Sequence, residues 1–256
     1  MAGTSVFRAG GYRYIPGPFQ YSGGVAAEPG CAIHRARFRQ PVPLEEGFAR
    51  IEAHLKATGR PLTSLCACEL RSPGQFSAQG FVDFNRRYVA ILERWGIVSG
   101  DDNPVARSNV CPDLDAPAEP SVHAFSYTVT AGEDWYPSFV IAGSAEVREG
   151  AEPYEERFIR RGDTSPEALL EKARHVLTTM ERRMAACGVT WRDATATQAY
   201  TVHDLHPFLA DEIVARGAAA AGLTWVYARP PVVGLEFEID VRGVEAEYTL
   251  AGWAPR

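Results

Sequence analysis

Two arginines stand at matching points of a chain that repeats itself: Arg107 in Pro104-Val105-Ala106-Arg107-Ser108-Asn109, and Arg229 in Ala228-Arg229-Pro230-Pro231. A guanidinium is charged at any working pH, and its planar fork matches the two oxygens of a carboxylate. Taken singly, each arginine is most simply an ion-pair partner at a strand edge. Their recurrence at equivalent points of two copies favours a ligand. Glu236 and Glu238 alternate with Leu235, Phe237 and Ile239, and the simplest reading is the wet face of a half-buried strand. His203 and His206 flank Asp204, a natural helix cap; proton transfer is a second role open to them, since imidazole titrates near neutrality. The cysteines Cys31, Cys66, Cys68, Cys111 and Cys187 are odd in number and fit neither a disulfide framework nor a zinc ribbon, so reduced thiols are expected. Alternation places Cys66 and Cys68 together on one strand face as small core residues. His203-Asp204-Leu205-His206 lacks further ligands nearby, and no metal is expected.

The elements that must carry these residues come in two similar series. The first opens on Phe19–Val25, with extended runs over 20–26 and 32–39 joined at Glu28-Pro29-Gly30 as a hairpin. Leu44, Phe48, Ile51 and Leu55 recur at helical steps over 43–58, and Gly59 supplies the stop. A strand over 62–70 follows, then a helix over 80–95 with Phe81, Phe84, Tyr88, Ile91 and Leu92 on one face, and extended runs through Arg107 and over 122–129. The second series repeats the order from Ser138: a strand over 138–144, a helix from Thr164-Ser165-Pro166-Glu167 to Cys187-Gly188, a strand over 191–202, a helix over 204–217, and strands over 223–227 and 235–241. The repeat predicts two related domains, 1–132 and 133–256.

Of 256 residues, 46% are hydrophobic and 23% charged, the balance of a globular protein with one substantial core or two smaller ones. A net charge of -6 offers no basic footprint, so no nucleic-acid partner is expected. No apolar run is long enough to span a bilayer, and the amino terminus lacks a secretory layout. The expectation is a cytoplasmic protein with no membrane partner.

The order of hairpin, helix, strand, helix and an arginine step into closing strands resembles the Rid (YjgF/RidA-type) superfamily, here as a fused pair from about Phe19 to Glu247. Tyr200-Thr201-Val202-His203-Asp204-Leu205-His206-Pro207-Phe208 and Tyr227-Ala228-Arg229-Pro230-Pro231-Val232-Val233-Gly234-Leu235-Glu236 are similar to two-copy members described as 2-aminomuconate-type deaminases. The resemblance implies an α+β fold, each copy a mixed sheet with two helices on one face. It implies a hydrolase acting on C–N bonds without a cofactor: an arginine holds the carboxylate of an enamine or imine acid, water adds to the C=N carbon, and ammonia leaves. The substrate would be a 2-aminomuconate-type intermediate of aminoaromatic degradation. Carried over, the substrate arginine falls on Arg229 in the second copy and Arg107 in the first, and the water-positioning glutamate on Glu236. The first copy has His123 in the corresponding strand, so either His123 substitutes or that copy has lost the reaction. Tyr21 lies in the hairpin that lines the cleft in relatives, though a core or interface aromatic is the simpler reading, and Tyr21, His123 and His203 are the candidate substrate-binding residues. The shortened strand at Pro230-Pro231 departs from the family pattern and puts the Arg229–Glu236 geometry in question. Relatives close into rings, so a homo-oligomer is expected, with a trimer favoured. Two other activities share the pattern: cleavage of an enol-pyruvyl group, as in chorismatases, and ligand sensing without catalysis.

Overall fold

The computed structural model of the chain describes residues 3–133, 136–148 and 153–250. Strands β1 (Ser5–Phe7), β2 (Tyr12–Tyr14) and β3 (Gly24–Ala27) come first. Then runs β4 (Cys31–Pro43), α1 (Leu44–Ala57), β5 (Leu65–Arg71), α2 (Ala78–Arg94), β6 (Ala106–Pro112) and β7 (Ser121–Thr130). The series recurs as β8 (Phe139–Ala145), α3 (Pro166–Cys187), β9 (Ala196–Tyr200), the one-turn α4 (His206–Phe208), β10 (Leu223–Val226), the two-residue β11 (Ala228–Arg229) and β12 (Glu238–Gly243), and β13 (Ala246–Leu250) follows it.

The helices form where the apolar stripes predict them. Ser77 caps α2 by accepting from the Gly80 amide at 3.1 Å, and Ser165 caps α3 from Ala168 at 3.3 Å with Pro166 behind it. The expected helix over 204–217 is a correction: the chain makes one α-turn and then a π-helical stretch, Leu209–Val214, held by five-residue bonds such as Ala215 N to Ala210 O at 3.0 Å. The wider turn buries Ile213 and sets Glu212 between Arg174 and Arg216.

Two mixed sheets result. One has the order β1-β2-β3-β8-β12-β9-β10, the other β11-β6-β5-β7-β4-β13. Within them, β8-β12-β9-β10 and β4-β7-β5-β6 share order and direction: the outer pair is parallel in each, β9 with β10 and β5 with β6, and the remaining pairs are antiparallel. The repeat read in the sequence is therefore a repeat of topology, an α+β unit occurring twice. Each sheet nevertheless takes strands from both sides of residue 132. β1 to β3 extend the second unit through the β3–β8 pairing, and β13 extends the first through β4.

The expected hairpin over 20–39 is therefore absent. The turn itself forms, with Cys31 N donating to Glu28 O at 2.9 Å and Gly30 at φ 84°. The strands then part, β3 to β2 and β8, β4 to β7 and β13. A turn fixes a local change of direction, but β3 is buried throughout and is satisfied only with neighbours on both edges.

The layers are helix, sheet, sheet, helix. α1 and α2 pack on the six-stranded sheet through Phe48, Ile51, Leu55, Phe84 and Leu92; α3 and the α4 region pack on the other through Val176, Leu177, Met180, Phe208 and Ile213. Tyr12, Val25, Ile33, Ala67 and Ala106 fill the space between the sheets. Cys66 belongs to that inter-sheet cluster and Cys68 to the helix-facing one, because a register shift between Leu65 and Ala67 breaks the alternation that would have placed both thiols together. Both cysteines are buried, and burial raises both thiol pKa values, that of Cys68 to about 12. Among the described residues no group of three or more His, Cys, Asp or Glu side chains could hold a metal ion, and no helix is long and apolar enough to cross a membrane.

Candidate functional site

A cleft of about 730 Å³ draws its lining from both units: Arg107 and Asn109 from β6, Phe81 from α2, Gly143 from β8, Glu238 from β12 and Tyr21 from the segment before β3. Such a volume holds a small ligand comfortably. The Tyr21 segment is pinned onto the start of β6. Ser22 N donates to Val105 O at 2.9 Å, Ser22 Oγ to Pro104 O at 3.1 Å, and Asn103 Nδ2 to Phe19 O at 3.0 Å.

Arg107 is 3% exposed and sits in a box of rings, its guanidinium carbon 4.8 Å from the Tyr21 centroid, 5.0 Å from Tyr88, 5.5 Å from Phe81 and 5.9 Å from Phe84. Its Nη1 donates to Asn85 Oδ1 at 2.5 Å, and its Nε finds no partner among the described residues. Burial lowers its pKa, yet a guanidinium remains charged, and the ring faces offset part of the lost hydration. Among the described residues no carboxylate is hydrogen-bonded to this buried cation, which is the electrostatic state of a site built for an incoming anion.

Glu238, the first residue of β12, enters the same cleft and is 4% exposed. Burial raises its carboxyl pKa to about 8; Asp240 adds to the shift and Arg107 opposes it. Space for the carboxyl is provided by Gly143, where a Cβ would lie 2.0 Å from Glu238 Oε1 and 2.9 Å from Ser108 Cβ. Gly143→Ala is thus expected to push the carboxyl aside, leaving a folded protein with kcat reduced by roughly a hundredfold, as for a small misplacement of a reacting group; circular dichroism and turnover measured together check this. The entry into β12 is fixed from beneath. Glu146 Oε1 accepts from Glu236 N at 2.7 Å and Oε2 from Phe237 N at 3.1 Å, while Lys172 Nζ donates to Oε1 at 3.1 Å, and both side chains of this ion pair are wholly buried.

The residues singled out in the sequence divide. Arg107 and Tyr21 lie together in the cleft. Arg229, Glu236 and His203 form a separate cluster outside its lining: Arg229 Nη1 meets Glu236 Oε2 at 2.7 Å, His203 Nε2 meets the same oxygen at 2.8 Å, and Asp113 stands 3.5 Å from Arg229 Nε. Arg229 also fails to occupy the place of Arg107. It lies on β11, which pairs antiparallel with β6, whereas the strand that takes the position of β6 in the second unit is β10, which has no arginine. His123 lies on β7 away from the cleft, near Arg71 and Glu69; burial first, then Arg71, lowers its pKa to about 3 and leaves it neutral. Glu238 was visible in the sequence only as the twin of Glu236. The signal for choosing it is the glycine in Ala142-Gly143-Ser144 that clears its place.

The family described as 2-aminomuconate deaminase CnbZ matches residues 4–248 of this chain. The chain belongs to the CnbZ family of 2-aminomuconate deaminases. It is 53% identical over 251 residues to a 2-amino-5-chloromuconate deaminase of Comamonas testosteroni, covering 98% of this chain and 100% of that one. A crystal structure of a chorismatase aligns with a TM-score of 0.50 at 13% identity, over 87% of this chain and 77% of that chain, which shows a common fold. The YjgF gene product of E. coli aligns over 46% of this chain and 87% of its own, at 20% identity and a TM-score of 0.31.

Proposed function

We propose that this CnbZ-family chain is a hydrolytic deaminase of a 2-aminomuconate-type enamine acid that works without a cofactor and releases ammonia. The observation that carries the reading is the pairing, in one cleft, of a buried arginine hydrogen-bonded to no carboxylate among the described residues with a carboxyl group that burial pushes up to about 8. The family description and the deaminase relative support it.

In this reading Arg107 forks onto the carboxylate beside the amine-bearing carbon, and the ring box excludes water from the pair. Glu238, protonated at neutral pH, passes its proton to the enamine carbon, which converts C=C–N into C=N. The resulting carboxylate then takes a proton from water as the water oxygen bonds to the C=N carbon. Returned to nitrogen, that proton makes ammonia the leaving group; as the C–N bond breaks, the Glu238 carboxylate takes the remaining hydroxyl proton, and a 2-oxo acid is left behind. Enamine and water are consumed, oxo acid and ammonia are formed, and Glu238 ends as it began.

The test is ammonia release from freshly generated 2-aminomuconate, followed together with loss of its absorbance. Acceleration well above the spontaneous rate is expected. A rate equal to the spontaneous one overturns the proposal.

A further inference from the structure

Beside Arg107 the cleft wall carries a second donor with nothing to bind. Asn109 is 3% exposed, lines the cleft, and its Nδ2 finds no hydrogen-bond partner among the described residues. Buried polar side chains are nearly always paired, so an orphaned one on a cleft wall points to a contact that a bound molecule completes. Arg107 and Asn109 stand two apart on β6 and leave the same face of the strand: their neighbours on β5, Cys68 and Leu70, both belong to the helix-facing core. The other end of the amide is already engaged. Ser72, wholly buried just after β5, donates from Oγ to Asn109 Oδ1 at 2.9 Å and is itself fixed by a bond from its amide to Val110 O at 2.9 Å. Ser72 therefore holds the side chain in the orientation that leaves Nδ2 unpaired. Arg107 Nε and Asn109 Nδ2 are both N–H donors, and both are without an acceptor among the described residues, a combination that selects a ligand rich in acceptor oxygens.

We propose that Asn109 is a substrate-binding residue whose Nδ2 donates to the same carboxylate that Arg107 holds. The inference rests on the reading of Arg107 as the carboxylate anchor and adds a second protein donor to that anchor. A carboxylate accepts at about four lone-pair sites, and the two bonds of a guanidinium fork fill only half of them. The fork alone leaves the carboxylate free to hinge about the line through its two oxygens. A third donor off that line stops the hinge. In a conjugated enamine acid the carboxylate lies in the plane of the C=C–N system, so fixing its plane also fixes which face of the reacting carbon is turned to Glu238 in the same cleft.

Calorimetric titration with cis,cis-muconate, a planar conjugated carboxylate with no amine to lose, tests the contact apart from turnover. Asn109→Ala is expected to bind it roughly ten- to a hundredfold more weakly than the native chain does, the scale for one hydrogen bond to a charged group. Asn109→Asp keeps the oxygen that Ser72 binds and exchanges only the free amine for a second oxygen, so the internal bond is preserved while like charges face each other, and binding should be weaker still. Ser72→Ala is the structural control. It breaks the same internal bond but leaves Nδ2 in place, and its affinity should stay within about threefold of the native value. An Asn109→Ala or Asn109→Asp chain that binds muconate as well as the native one, or a Ser72→Ala loss as large as that of Asn109→Ala, overturns the assignment. A native chain that does not bind muconate overturns it too, and with it the Arg107 anchor. The deaminase reading fails on a different result, absence of accelerated ammonia release, which would leave a muconate contact through Asn109 intact.

Discussion

Arg107→Lys is expected to lower kcat/KM for the enamine acid by roughly a hundred- to a thousandfold, the scale for losing one preorganised donor set at a reacting centre. Lysine keeps a charge donor in solution but not in this position. The box of Tyr21, Phe81, Phe84 and Tyr88 is shaped for a planar cation, Asn85 bonds one guanidinium nitrogen, and an ammonium buried among rings is driven to its neutral form. Arg229→Ala is the matched control. Its guanidinium is bound to Glu236 outside the cleft, and removal should leave kcat/KM within about threefold and cost no more than about 1 kcal/mol of stability, as befits a partly exposed ion pair. Steady-state kinetics and denaturant unfolding of the two variants side by side check both statements. Loss of turnover confined to the Arg229 variant would relocate the active centre.

Glu238→Gln should reduce kcat by roughly a hundred- to ten-thousandfold, the range for removing a general acid–base group. The pH dependence follows from its pKa of about 8. Below that pH the free enzyme holds the proton it has to give, so kcat/KM is flat; above it, kcat/KM falls by about tenfold per pH unit. The glutamine variant has no such alkaline limb. Stability carries the same signature with a definite sign. The folded-state pKa is raised from the ordinary 4.5 to about 8, so within that window the native state binds the proton and the unfolded chain does not. The native protein therefore loses stability as pH rises from about 4.5 to about 8, and the loss is complete above the upper value. Glutamine does not titrate, and the Tm of the variant relative to the native chain should climb across the window. A flat difference would show that the carboxyl is ionised in the native state.

The sequence displayed the units more plainly than the contacts between them. Amphipathic periodicity and the Ser77 and Ser165 caps located the long helices closely, because those signals are local. Strand partners are not local: β3 and β4 leave one turn for different sheets. The stripe of Phe81, Phe84 and Tyr88 on α2 reads as ordinary core, and its second duty as the wall around Arg107 depends on β6 lying beneath it. Glu236 and Glu238 look interchangeable by alternation, but β12 begins only at Glu238. The chain before it follows a path set by the carboxylate of Glu146, which sends Glu236 to Arg229 and His203. The repeated Ala-Arg words suggested two equivalent arginines, yet β11 is an addition between β10 and β12 with no counterpart in the first unit.

The exchange of edge strands has a consequence for how such a chain could be divided. Severed between β7 and β8, the amino-terminal piece would carry away β1 to β3, which cover the open edge of β8, and the carboxy-terminal piece would carry away β13, which covers the open edge of β4. Each fragment would expose unpaired backbone that only the other can satisfy. Arg107 and Glu238 would also part company. The chain is thus expected to unfold in a single cooperative step in spite of its two-fold internal resemblance. The halves are expected to complement each other as a split protein, with both needed before either sheet is complete.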